Sequence, residues 1–185
     1  MSRPELQETG LYCGVAAIAV FVFMLVFAVA NFSGYSSLSN YLSDLGVNPD
    51  SALFFNIGAM IAGVLGIPLG VSLMGRLPGR LGRAGGLLIA LADIALVGVG
   101  IFNLNNKMMH YVFASSFFVL ASLGVIVIGA SILGRSRRVG VYSMLVGIVP
   151  VVCIAAFQPV TEHIAVLAIG LWVVVFSLLE LRRKQ

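Results

Sequence analysis

Long apolar runs alternate with short polar clusters along the whole chain, and that alternation is its dominant pattern. A helix needs about 20 mainly apolar residues to cross a hydrocarbon core roughly 30 Å thick. Six windows meet or approach that length, at about 12–32, 52–74, 85–104, 108–133, 139–157 and 162–180. Between them sit Gly/Pro/Arg or Asn/Ser/Asp clusters that read as turns. No window shows the ten-residue alternation of an outer-membrane barrel strand. The pattern predicts an all-α polytopic membrane protein, with six transmembrane helices in one bundle spanning 1–185. No internal duplication stands out, and no soluble segment is large enough to fold alone.

Composition agrees with that reading. The 185 residues are 60% hydrophobic and 10% charged, whereas a soluble domain carries about a quarter charged residues. A disordered chain, a secreted disulfide framework and a water-soluble globule are excluded. Six spans put both termini on one side with the 75–84 and 134–138 loops. That side carries Arg3, Arg76, Arg80, Arg83, Arg135, Arg137, Arg138, Arg182, Arg183 and Lys184, against only Lys107 opposite. The asymmetry predicts cytoplasmic termini and a multi-pass protein of the cell membrane. It also accounts for the net charge of +4 without a nucleic-acid partner, for which no motif is present. The first apolar run is long for a signal peptide and lacks a clean cleavage site, so it reads as a retained helix. Cys13 and Cys153 fall at different depths in helices 1 and 5, which argues against a disulfide and makes them small apolar fillers.

Polar side chains are costly in lipid, so their placement carries the information. Glu5, Glu8 and Glu180 lie in the basic flanks and read as solvated charges. Asp44 belongs to the longest connection, 33–52, where Asn40, Ser43 and Asp44 follow an i, i+3, i+4 spacing ahead of Gly46. A short amphipathic helix at the outer interface would group them, with Leu38, Tyr41, Leu42 and Leu45 on its other face. A solvated loop is the alternative. Asp50 and Ser51 read as the N-cap of helix 2, and Asn56, more than a turn deeper, needs a partner. Asn103, Asn106 and His110 form one stripe if helix 4 starts early. Thr161 caps helix 6 on this reading, with Glu162 and His163 in its first turn, where the helix dipole favours a carboxylate. For His110 and His163 a structural role at the interface is the bland alternative.

Asp44, Asn56, Asn106, His110, Glu162 and His163 thus all map to the outer ends of helices, where a narrow bundle can bring them to one pocket. Two carboxylates with one or two imidazoles suit a divalent metal or an acid–base pair, although no spacing is as specific as HExxH. Asp93 stands apart near the middle of helix 3 and is the one residue that suggests a proton or ion path; a neutral, hydrogen-bonded packing role is its alternative. Pro68 and Pro150 predict bends in helices 2 and 5, and Gly58, Gly63, Gly66 and Gly70 predict a close helix contact. A broken transporter helix is the less favoured explanation of these features.

The segments YLSDLG (41–46), FFNIGAMIAGVLG (54–66) and MHYVFASSFFV (109–119), with a glutamate opening the last helix, resemble the DUF998 group of six-span prokaryotic membrane proteins. More distantly they resemble the eukaryotic Frag1/DRAM/Sfk1 proteins, which carry a similar Ser-Asp-x-Gly segment and a histidine heading a later helix. The matching positions are Ser43, Asp44, Gly46, Asn56, His110 and Glu162. The prokaryotic group carries no assigned activity; the eukaryotic resemblance implies membrane-lipid processes, including remodelling of lipid anchors and lipid organisation. A looser analogy is to seven-span ceramidase-like hydrolases. Two histidines and six spans cannot supply their three-histidine zinc site.

Three functions remain open from the residues. The first is an outer-leaflet site that binds a polar-headed lipid, or hydrolyses or transfers part of it. In that site Asp44 and Glu162 position or deprotonate, His110 is acid or base, and Ser43, Asn56, Asn106 and His163 hold the headgroup. The second is a small cation or proton transporter using Asp93. The third is a non-catalytic scaffold whose polar cluster only pins a loop. Membrane lipids are the partners expected, and no oligomeric partner is defined.

Overall fold

The computed structural model describes residues 3–183, and its helices follow the apolar windows. They are α1 (Arg3–Ala30), α2 (Ala52–Arg76), α3 (Gly79–Ile101), α4 (Lys107–Ser131), α5 (Arg137–Ala155) and α6 (Pro159–Arg182). All six are long and apolar enough to cross a membrane, and the described residues contain no strand. Each helix packs on its neighbours in sequence, and α6 returns to α1, closing a ring of six. The ring interior is filled by Leu11, Leu73, Val125, Ile128, Trp172 and Phe176. The Trp172 indole N–H donates to Ser143 Oγ at 2.9 Å, so the largest interior side chain has its polar atom satisfied. Phe23, Val26, Leu167 and Leu171 point outward, the inverted pattern of a bundle whose solvent is lipid.

Glycines set the closest contact, as their spacing predicts. A Cβ at Gly63 would meet the backbone of Asp93, and one at Gly70 the backbone of Ala90. Small residues on α2 thereby let α3 approach at backbone distance. Both α2 and α5 run through Pro68 and Pro150 without a break.

The connection between α1 and α2 is not a solvated loop. Its short helix is a five-residue 3-10 turn, Leu42–Gly46, and it inserts into the bundle instead of lying flat on it. Leu42 and Leu45 are buried with Ala28 and Phe55, backed by Phe21, Leu25, Phe32 and Val166. Of the expected apolar face, Leu38 and Tyr41 stay exposed. Asn40 turns its side chain to the Ser36 N–H and does not join Asp44. A second 3-10 turn, Leu104–Asn106, joins α3 to α4.

Candidate functional site

The turn at 42–46 closes the end of the ring where α6 begins. Asp44 Oδ2 accepts the Tyr41 N–H at 2.9 Å and holds the turn's own start. Glu162, in the first turn of α6, reaches across: its Oε2 accepts the N–H groups of Leu42 at 2.7 Å and Ser43 at 3.4 Å. The Ser43 hydroxyl lies alongside the same carboxylate. Tyr41 donates from its hydroxyl to Phe157 O at 3.0 Å, tying the turn to the α5–α6 connection. Phe157 there adopts a φ of 48°, a left-handed conformation that a bulky side chain rarely takes.

Beneath these contacts lies a cavity of about 580 Å³, walled by α4, α5, the start of α6 and the 42–46 turn. Asp44, Ser43, His110 and Glu162 all line it, with Tyr41, Lys107, Ser115, Gln158 and Thr161. Leu104, Phe118, Ile154 and Phe157 supply apolar wall. His110 is only 3% exposed, and its Nδ1 lies 2.8 Å from Phe102 O. A carbonyl can only accept, so Nδ1 carries the proton and Nε2 of the neutral ring is left as an acceptor. No backbone group bonds Asp44 Oδ1, Glu162 Oε1 or His110 Nε2. Asp44 and His110 therefore each spend one polar atom on the scaffold and keep another, while the Glu162 carboxylate also takes the Ser43 hydroxyl.

The other expected residues are not in this cavity. Asn56 donates to Gly46 O at 2.9 Å, a loop tether that leaves its Oδ1 buried without a partner. Asn106 caps the start of α4 by accepting from Met109 N–H, so its amide is spent there and forms no stripe with His110. His163 faces Tyr35, whose hydroxyl is 2.5 Å from Nε2, while Nδ1 donates to Pro159 O at 2.9 Å. One expected cap moves and another keeps its place with a different bond. The cap position of α6 is Gln158, with Thr161 bonding back to its carbonyl, because Pro159 already starts the helix. Ser51 occupies the cap position of α2 but donates its hydroxyl to Leu45 O.

Tyr35 carries a signal that the sequence did not disclose. Burial pushes its phenol up to about 12, and the negative charges of Glu162 and Asp44 add to the shift. The two carboxylates thus project a negative field beyond the cavity itself.

Asp93 lies elsewhere, beside a cavity of about 50 Å³ shared with Ile18, Leu96, Phe117 and Trp172. Its Oδ2 is buried without a hydrogen-bond partner, and the other lining residues include no ionisable group. The carboxyl occupies the notch left by the missing side chain of Gly66. Cys13 and Cys153 are free, and Cys153 lies on the wall of the large cavity. Among the described residues, no three His, Cys, Asp or Glu side chains converge as a metal ion would require.

Glu180 reverses its expected role. It is 2% exposed and gathers three guanidinium groups: Arg135 at 2.5 Å, Arg183 at 3.1 Å and Arg76 at 3.4 Å. Arg76 also donates to Glu180 O at 2.7 Å. The carboxylate was expected to be solvated; it is instead the buried centre of an ion cluster that ties α2, the α4–α5 connection and α6 together. Burial pulls the Arg135 guanidinium down from its ordinary value, an effect that Glu180 opposes.

The family described as "Protein of unknown function (DUF998)" matches residues 15–179. That range reaches into all six helices and includes the 42–46 turn, His110 and Glu162. No curated protein and no solved structure matches the chain.

Proposed function

The chain belongs to the DUF998 family, and we propose that this membrane protein binds a polar-headed lipid in the cavity beneath the 42–46 turn. The supporting observation is the composition of that one cavity. A wall of Leu104, Phe118, Ile154 and Phe157 meets three ionisable side chains, of which Asp44 and His110 each keep a polar atom that the scaffold does not use. Apolar wall suits acyl chain or glycerol carbons, and convergent polar atoms suit a headgroup. Tyr111 and Phe157 line the cavity and are also exposed, as a rim at a membrane interface would be.

Apart from Lys107, the basic side chains of the described loops and helix ends lie at the opposite end of the bundle, which supports reading this cavity as one of the outer leaflet of the cell membrane. Asp44 and Glu162 then fix the headgroup, and His110 Nε2 accepts a proton from it. Any hydrolysis or transfer would use the same three groups.

The test is mass spectrometry of lipid that copurifies with the full chain. Glu162→Gln and His110→Ala should retain less lipid than the wild type, with Asp93→Asn unchanged. Equal retention in all variants overturns the reading.

A second reading draws on the hydrogen bonds from Glu162 and Tyr41 that pin the loop. They suit a scaffold whose polar cluster serves stability alone. Under it, Glu162→Gln and His110→Ala would lower thermal stability and no lipid would be found on the wild-type protein.

A further inference from the structure

The two ends of the bundle treat their buried carboxylates in opposite ways. Glu180 has three arginines within ion-pair distance. Asp44 and Glu162 face one cavity, and neither forms an ion pair among the described residues. Adjacent carboxylates in a half-buried site repel each other unless positive charge or a proton is supplied. The field felt at Tyr35 includes both of them. The protein's own nearest candidate, Lys107, is exposed and lines the cavity without pairing with either acid.

A second feature points the same way. The His110 side chain is almost fully buried and lines the cavity, and no protein group bonds its Nε2. Asp44 and Glu162 line the same space, Asp44 with an Oδ1 that no hydrogen bond takes up and Glu162 with a carboxylate that also takes the Ser43 hydroxyl. An ammonium group has three N–H donors and carries the missing charge. A divalent cation would call for several ligands in one tight shell, about four for zinc and six or more for calcium, and among the described residues no three His, Cys, Asp or Glu side chains come together to begin one.

We propose that the occupant of the cavity is an amine-bearing phospholipid of the phosphoethanolamine type, its ammonium held by Asp44 and Glu162 with His110 on the same cavity wall and its phosphate facing Lys107. The proposal rests on the reading of the cavity as a lipid site and specifies its headgroup. The same ammonium chemistry is offered by free phosphoethanolamine, so the source needs its own arm in the test.

The full chain is exchanged against mixed micelles containing equal amounts of phosphatidylethanolamine, phosphatidylglycerol and diacylglycerol, and bound lipid is counted by native mass spectrometry. Charge-assisted hydrogen bonds predict a preference for the amine lipid of roughly tenfold over phosphatidylglycerol. The Asp44→Asn/Glu162→Gln pair should bring that ratio to about one; its amide oxygens still accept the Tyr41 and Leu42 N–H groups, and a retained melting temperature checks the fold. Similar binding of all three lipids, lost on filling the cavity with Ala114→Trp, overturns the ammonium assignment and leaves the lipid site standing. No lipid on the wild type overturns both. Displacement of the amine lipid by an equal concentration of free phosphoethanolamine keeps the ammonium contact and overturns the lipid as its source.

Discussion

The backbone N–H of Leu42 donates to Glu162 Oε2 at 2.7 Å across 120 positions of sequence. The bond closes the ring at one end, because it fastens the first long connection to the start of the last helix. The same oxygen takes the Ser43 N–H, so one side chain satisfies two donors at the start of a 3-10 turn, where no backbone acceptor is in register. Glu162→Ala leaves them without that acceptor and should cost about 1–3 kcal/mol. Glu162→Gln keeps an acceptor and should cost less. Thermal unfolding reads the difference, and hydrogen exchange at residues 42–46 should quicken in the alanine variant alone. Equal exchange in both variants would mean that Leu42 and Leu45 hold the turn by burial without help from the carboxylate.

The spans were legible because lipid imposes a length on apolar runs, and no competing fold shares that signature. The meeting of Asp44, His110 and Glu162 on one cavity was legible for a related reason: residues at one depth in a narrow ring have few places to go. Asn56 and Asn106 sit at the same depth, but their amides are used by the nearest backbone groups, Gly46 O and Met109 N–H. Short polar side chains readily make such local bonds, and depth alone does not distinguish the two outcomes. Glu180 was illegible for another reason. Beside Arg182 and Arg183 it resembles any solvated span end, and its burial depends on Arg76 and Arg135, which are 104 and 45 positions away. Tyr35 had no pattern at all to mark it, since its partner His163 comes from the far end of the chain.

Glu180 should be the most costly single polar substitution in the molecule. The Arg76 side chain is 9% exposed, so Glu180→Gln leaves a guanidinium with little water and no counter-charge. Breaking a buried pair from one side costs about 3–5 kcal/mol. Arg135 and Arg183 reach solvent, and their share is small; Arg183→Gln should therefore cost below about 1 kcal/mol. Both are read as shifts in thermal unfolding. If Glu180→Gln and Arg183→Gln melt alike, Arg76 is hydrated in solution and the cluster contributes no more than a surface pair.

Gly70 is expected to resist substitution more than any loop glycine. A Cβ there would lie 2.5 Å from the Ala90 nitrogen and 2.7 Å from the Ala90 side chain. Backbone on the opposing helix cannot rotate aside as a side chain can, so α2 and α3 must separate. Overpacking of this kind costs about 1–3 kcal/mol. Gly134, with open space around its missing Cβ, provides the control, and Gly134→Ala should melt with the wild type. Equal melting of Gly70→Ala and Gly134→Ala would show that the two helices are less tightly packed than their glycines imply.

Tyr35 offers a spectroscopic view of the charges in the cavity from a residue outside the spans. Its phenol is pushed up from 10 to about 12, first by burial and then by Glu162 and Asp44. The neutral phenol is the form that donates to His163. Because the folded value is raised, the contribution of Tyr35 to stability is complete below pH 10 and fades as pH rises through about 12. Subtracting the tyrosinate absorbance of Tyr35→Phe from that of the wild type isolates its titration, which should centre near 12. Glu162→Gln removes one of the two negative charges and should move that midpoint downward. A midpoint at the ordinary tyrosine value, indifferent to Glu162→Gln, would mean that the carboxylates do not act on Tyr35 and that the cavity lacks the negative field an ammonium group would need.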